Sequence, residues 1–237
     1  MNTTVIVLGI IIVFLVYLLF KYFTNTSISL KTEANMNTLV PGIKVNNPQA
    51  TRYAYGIWVY VNTWNTNVDH TIFSRNNNIK LYLDRTAPTL KCQITMNDTT
   101  VKKDMIITDN FPLQKWVNIV ISVDNQFVDA YLDGKLIQSS KFLFSTTNNG
   151  INVTNTPNQP PDVNTLMYVG NAPANNGWDA YASKFKQWST GPVDPQTVWS
   201  YYMEGNGGNI LSSTLGNYGI NVQLLKNNVE NSKIQVF

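Results

Sequence analysis

Residues Lys115 to Ile137, KWVNIVISVDNQFVDAYLDGKLI, set two turn signals between three runs of strand-forming residues. Val117, Ile119, Ile121 and Val123 alternate with Trp116, Asn118, Val120 and Ser122, a period of two that sends the first set to one face of a strand. Asp124-Asn125 breaks the run. Phe127 to Leu132 alternates again, and Asp133-Gly134 supplies residues that tolerate positive φ in a two-residue hairpin turn. The stretch predicts a β-meander. Its second face, with Trp116, Val120, Phe127 and Tyr131, is also partly apolar, so both faces need cover and the rest of the chain must supply a second sheet.

Further strands are expected at Tyr53 to Asn62, Thr71 to Ser74, Ile79 to Asp84, Leu90 to Met96, Met105 to Thr108, Thr165 to Gly170 and Ala180 to Trp188. Ser145 to Asn164, with Asn148-Asn149-Gly150 and three prolines, reads as a long polar loop. Asp194-Pro195 opens a short helix, with Asp as N-cap and Pro at the first helical position. Gly205 ends that helix. Near the C-terminus Ile220, Val222 and Leu224 alternate, and Lys233 to Phe237 is expected to rejoin a sheet. A chain of 237 residues is long enough for one sizeable β-sandwich with appendages. No internal repeat is visible.

Ahead of this domain, Val5 to Phe20 carries no charge, and Tyr22-Phe23 extends the apolar run past Lys21 to 19 positions. As a helix it covers about 28 Å, enough for the hydrocarbon core of a bilayer. Val5, Ile10, Phe14, Leu18 and Phe20 mark it as a membrane anchor, and the missing basic n-region and cleavage motif argue against a signal peptide. Lys21, Lys31 and Arg52 all lie C-terminal to the run, so the positive-inside rule places the domain on the cytoplasmic side. Thr24 to Ala50 is polar and aperiodic and reads as a tether, spanning about 30 Å on average and up to about 90 Å stretched. The organisation expected is an anchor over 1–23, a tether over 24–50 and a folded domain over 51–237.

Charged residues make up 13% of the chain and the net charge is +3, which leaves no broad positive field for nucleic acid. Cys92 and His70 are alone of their kinds, so an internal disulfide and a Cys/His zinc cluster are excluded. His70 has no nucleophile motif beside it.

The Trp-led strand and Tyr-Leu-Asp-Gly turn, with YGIWVYVNTW (55–64), IFSR (72–75), YVGN (168–171) and AYASKFKQWS (180–189) in that order, resemble the concanavalin A-like, laminin-G-like jelly-roll superfamily. The resemblance implies an all-β, two-sheet antiparallel jelly-roll sandwich with one short helix, here preceded by a single transmembrane α-helix. Many relatives cleave β-glucans with two closely spaced carboxyl groups. Here only Glu33, Glu204 and Glu230 occur and none lies in an acid-x-acid strand, so no enzyme activity is expected. Relatives that bind calcium use loop Asp and Asn; Asp69, Asp84, Asp109 and Asp179 form no ligand series, so no cofactor is expected and calcium is only a minor alternative. Carbohydrate binding would draw on Trp64, Asn149, Asn175, Trp178 and Tyr181, whereas Trp58, Trp116 and Trp188 on strands read as core and Trp199 as packing for the short helix.

An anchored, catalytically empty jelly-roll in an Asn- and Lys-rich chain also resembles membrane-anchored proteins of large icosahedral DNA viruses. That resemblance implies a minor capsid or membrane-associated virion protein linking an internal membrane to the capsid shell, with the lipid bilayer and capsid or other virion proteins as partners. The alternative is a membrane-tethered, lectin-like glycan-binding module.

Overall fold

The computed structural model describes residues 3–24, 27–45, 51–148, 151–174, 176–207, 221–226 and 229–235. Helix α1 (Thr3–Thr24) is followed by β1 (Ser27–Asn35), β2 (Arg52–Val61), β3 (His70–Arg75), β4 (Ile79–Leu83), β5 (Leu90–Thr95), β6 (Lys102–Thr108) and β7 (Trp116–Asp124). Then come β8 (Phe127–Leu132), β9 (Lys135–Lys141), β10 (Phe144–Asn148), β11 (Ile151–Asn155), β12 (Met167–Val169), β13 (Ala180–Trp188), α2 (Pro195–Met203), β14 (Asn221–Lys226) and β15 (Val229–Gln235). Two antiparallel sheets form the sandwich, one ordered β1-β13-β2-β7-β8-β9 and the other β12-β3-β4-β5-β6.

The expected meander is β7-β8-β9, paired antiparallel throughout. At its second turn Asp133 has φ 46° and Gly134 φ 79°, the paired left-handed residues that match a hairpin's twist. The period of two then sorts the faces. Tyr55, Ile57 and Val59 of β2 and Ile119 and Ile121 of β7 join Phe73, Leu81 and Cys92 of the opposite sheet in one buried core. Cys92 is fully enclosed there, and burial pushes its thiol well above the usual range.

Helix α2 covers part of the outer face of the six-stranded sheet, where Val198 and Tyr201 pack with Ala54, Trp58, Val120, Tyr131 and Trp188. Gly56 makes the close approach possible, because a Cβ there would lie 2.7 Å from the Tyr201 ring and 2.9 Å from Trp188. Asp194 caps the helix, accepting from the Thr197 amide at 2.9 Å and the Thr197 hydroxyl at 2.7 Å. Asp194→Ala is expected to cost about 1 kcal/mol in thermal or urea unfolding. Thr197 holds the Asp194 carboxyl below the usual carboxylate range, so this stabilisation is complete above about pH 4 and is lost as pH falls through the depressed value. Equal wild-type and variant stability near neutral pH would contradict the cap.

Several expectations need correction. The stretch read as a free tether contributes β1, which pairs with β13, and it also buries Met36, Val40 and Val45 in the core. The polar loop after Ser145 contains the paired strands β10 and β11. Strands β14 and β15 pair with each other in a sheet of their own rather than with the sandwich. Trp199, although 42% exposed, lies against Tyr202 and the Gly134 turn and so packs the short helix as expected.

Helix α1 covers 22 residues. Ile10 and Phe14 are exposed on it, while the side chains of Val5, Leu18 and Phe20 lie outside the described residues. Side chains on this helix are described at 7–17 and 19 only, and among the described residues no helix is long and apolar enough to cross a membrane.

Candidate functional site

The outer face of the six-stranded sheet is sealed by α2 over one half and open over the other. In the open half Asn35, Tyr181, Tyr60 and Trp116 stand in one cross-strand row; the next row on this face begins with Glu33 and Ser183 and runs under α2 at Trp58 and Asn118. Side chains in such rows share a face and touch across strands. The Tyr60 ring lies 5.6 Å from Trp116 and 6.5 Å from Tyr181, which makes a short aromatic strip.

A cleft of about 550 Å³ opens over this strip, walled by Trp116 and Tyr181 and lined by Glu33, Asn35, Ser183 and Asn206. Tyr181 is 41% exposed and presents its ring to solvent. The remaining geometry comes from a bulge in β13 between Ser183 and Lys186, where Lys184 has φ 48°. There the Tyr201 hydroxyl donates to the Lys184 carbonyl at 2.6 Å, and the Ser183 hydroxyl donates to the Asn206 carbonyl at 2.6 Å. The segment after α2 is thereby drawn over the cleft. Lys186 and Glu204 close this side with an ion pair at 2.7 Å.

Chemically the cleft combines flat aromatic carbon, one carboxylate and neutral amide and hydroxyl groups. Apolar rings favour the C–H face of a ligand, and convergent polar groups fix its orientation. A second cavity, about 530 Å³, lies on the outer face of the five-stranded sheet beside Ser74, Lys80, Gln93, Thr95, Lys102 and Tyr168. It has one aromatic side chain on its wall and lacks the paired rings. Among the described residues no group of three or more His, Cys, Asp or Glu side chains is placed to hold a metal ion.

The residues predicted for ligand contact divide. Tyr181 stands in the cleft. Trp178 is buried, its indole nitrogen donating to the Thr71 carbonyl at 3.0 Å, so it belongs to the core. Trp64 stacks on His70 with ring centroids 4.1 Å apart, and Trp178 meets the same imidazole edge-on at 5.1 Å. Trp178 is therefore a packing residue, and half-buried Trp64 stands on His70 outside the lining of the cleft. Burial in that aromatic clamp lowers the pKa of His70. Asn149 and Asn175 lie outside the described residues. Sequence reasoning missed Glu33 and Asn35, assigned to the tether, and Trp116, assigned to the core. The available signal was the alternation Ser27-Ile28-Ser29-Leu30, which marks β1.

Comparison with solved structures gives matches at low identity. One is the binding domain of botulinum neurotoxin serotype D, 15% identical, with TM-score 0.50, covering 71% of this chain and 42% of that one. Another is the receptor binding domain of botulinum neurotoxin mosaic serotype C/D, 13% identical, with TM-score 0.50, covering 76% of this chain and 46% of that one. This chain thus spans less than half the length of either, and the likeness is one of fold alone. Comparison with curated proteins returned no match. The family description of the concanavalin A-like lectin/glucanases superfamily matches residues 37–198, more than half of the sequence and all but the first strand of the sandwich. On that match, and on the two-sheet antiparallel sandwich that carries it, the chain belongs to the concanavalin A-like lectin/glucanases superfamily.

Proposed function

We propose that this protein is a membrane-anchored, non-catalytic recognition module that binds a saccharide in the cleft walled by Trp116 and Tyr181. The observation that carries this reading is the aromatic strip, exposed at Tyr181 and half-buried at Trp116 and Tyr60, with Glu33, Asn35 and Asn206 around it. Rings stack on the C–H faces of pyranoses while amides and a carboxylate bond the hydroxyls. Glu33 is the one carboxylate among the cleft's described lining residues. Retaining cleavage needs a second about 5 to 5.5 Å away, and inverting cleavage needs one somewhat further, so the composition supports binding without hydrolysis. No feature of the cleft favours a capsid protein as ligand, and the glycan reading replaces the virion-linking role expected from the sequence.

The anchor is the uncharged run Val5 to Phe20 within α1, and the charges that follow it, Lys21, Lys31 and Arg52, favour the cytoplasmic side. The saccharide is then one displayed on that side, on a polymer or a coat. Protease treatment of sealed membranes checks this: a digested sandwich is expected, and a protected one reverses the topology.

Binding is tested by presenting full-length protein in nanodiscs to an array of immobilised oligosaccharides. Tyr181→Ala is expected to weaken the selected interaction about tenfold or more, the loss typical of removing an aromatic anchor at the centre of a contact. Unchanged binding in the variant, or no saccharide bound by the wild type, overturns the reading.

A further inference from the structure

The chain leaves α1 at Thr24 and enters β1 at Ser27, so two residues separate the hydrophobic helix from the sandwich. Three Cα–Cα steps of 3.8 Å cannot exceed about 11 Å. In place of a long tether, covalent geometry holds the start of β1 close to the end of the helix.

Register then says which part of the sandwich that is. Ser27 is level with Trp188, Ala54 and Ser122 across the sheet, and Asn35 is level with Tyr181, Tyr60 and Trp116. Eight residue steps along β1 make about 27 Å. The aromatic cleft therefore sits at the end of the sheet away from the helix junction.

Basic side chains gather at the junction end of this axis, whereas the far end carries charges of both signs. At the junction end, Lys103 donates to the Lys141 carbonyl at 3.0 Å, beside the β7–β8 turn whose Gln126 carbonyl accepts from Phe142. Lys102 precedes Lys103 at the start of β6, and Arg52 pairs with Asp124 in the same turn region. At the cleft end Asp179 accepts from Asn62 and Thr63, and exposed Asp69 and Asp109 in the loops before β3 and after β6 are mixed with exposed Arg85, Lys115 and Lys135. Cations near an anionic lipid surface are attracted to it over about a Debye length, and acids are repelled.

We infer that the sandwich stands end-on upon an anionic bilayer, its Lys102, Lys103 and Lys141 end against the lipid headgroups and its cleft held outward at the far end. This rests on α1 being the membrane anchor. A cleft so placed meets ligands approaching from outside the membrane and is kept off the headgroups of its own bilayer.

The test uses full-length protein in phosphatidylserine-containing vesicles with a quencher attached to the lipid headgroups. Fluorophores are placed singly at Thr190→Cys, beyond the Ser27-level end of β13, and at Leu113→Cys, in the loop beside the cleft end; native Cys92 is buried. Strong quenching at position 190 and little at 113 is expected. Replacing Lys102, Lys103 and Lys141 by Gln, or raising the salt, should weaken the quenching at 190. Equal or reversed quenching in protein that resists carbonate extraction overturns the orientation alone. Protein that washes off in carbonate overturns the anchor reading itself.

Discussion

Gly134→Val is expected to lower the stability of the folded chain by about 3 kcal/mol, read as the shift in urea midpoint at constant slope. Two costs combine. A β-branched residue at φ 79° is strained, because only residues without a Cβ enter the left-handed region freely. Any Cβ at this position also lies 2.7 Å from the Trp199 ring and 3.2 Å from Tyr202, so the turn and α2 are packed against each other. Gly134→Asn separates the costs, since Asn tolerates positive φ but keeps the clash, and repeating both substitutions in Trp199→Ala removes the closest part of that clash, leaving the Tyr202 contact. A Val variant as stable as wild type would mean that this turn does not set the meander's register.

The second large effect is expected at Arg75, a guanidinium 2% exposed. Its Nε donates to the Thr165 carbonyl at 3.2 Å and its Nη2 to the carbonyls of Pro161 and Asp162 at 3.0 and 2.8 Å. One planar fork thus ties the 161–165 segment to β3, and a Lys point charge cannot reproduce that geometry. Arg75→Met should cost about 3 to 5 kcal/mol, because it leaves buried carbonyls unpaired, and Arg75→Lys should recover only a minor part. The same charge acts on Tyr55, where burial pushes the phenol up to about 12 and Arg75 opposes the rise. If Met and Lys variants unfold together with wild type, the 161–165 segment is held by other contacts.

Gly134 and Arg75 also mark the limits of what the sequence discloses. The Asp133-Gly134 turn was legible because its chemistry is local: two positive-φ positions between alternating strands have few other solutions. The same holds for α2, announced by Asp194-Pro195. Arg75 looked like an ordinary strand-end cation, since the carbonyls that receive it lie 86 to 90 residues away in sequence. Strand β1 was hidden by its polarity. As an edge strand it is covered on one side only, and its register shift between Ser29 and Lys31 breaks the alternation that would have revealed it. Losing β1 removed Glu33 and Asn35 from the candidate site. The hairpin β10-β11 was announced by Asn149-Gly150, but that signal was outweighed by the prolines that follow.

The tryptophans failed as predictors for a different reason. Trp64, Trp178 and Trp116 are chemically alike, and only tertiary placement makes two of them clamp His70 while the third walls the cleft. Periodicity assigns a face but not what covers it. Trp116 lies on the outward face, half-buried at the margin of the cluster under α2, with its ring beside Tyr60.

The most direct test is a structure of the full chain with a bound oligosaccharide. The account predicts a sugar ring stacked on Tyr181 or Trp116, with its hydroxyls within hydrogen-bond reach of Glu33 and Asn35. A saccharide seated instead against Lys80 and Tyr168 on the five-stranded sheet, with the aromatic cleft empty, would contradict it.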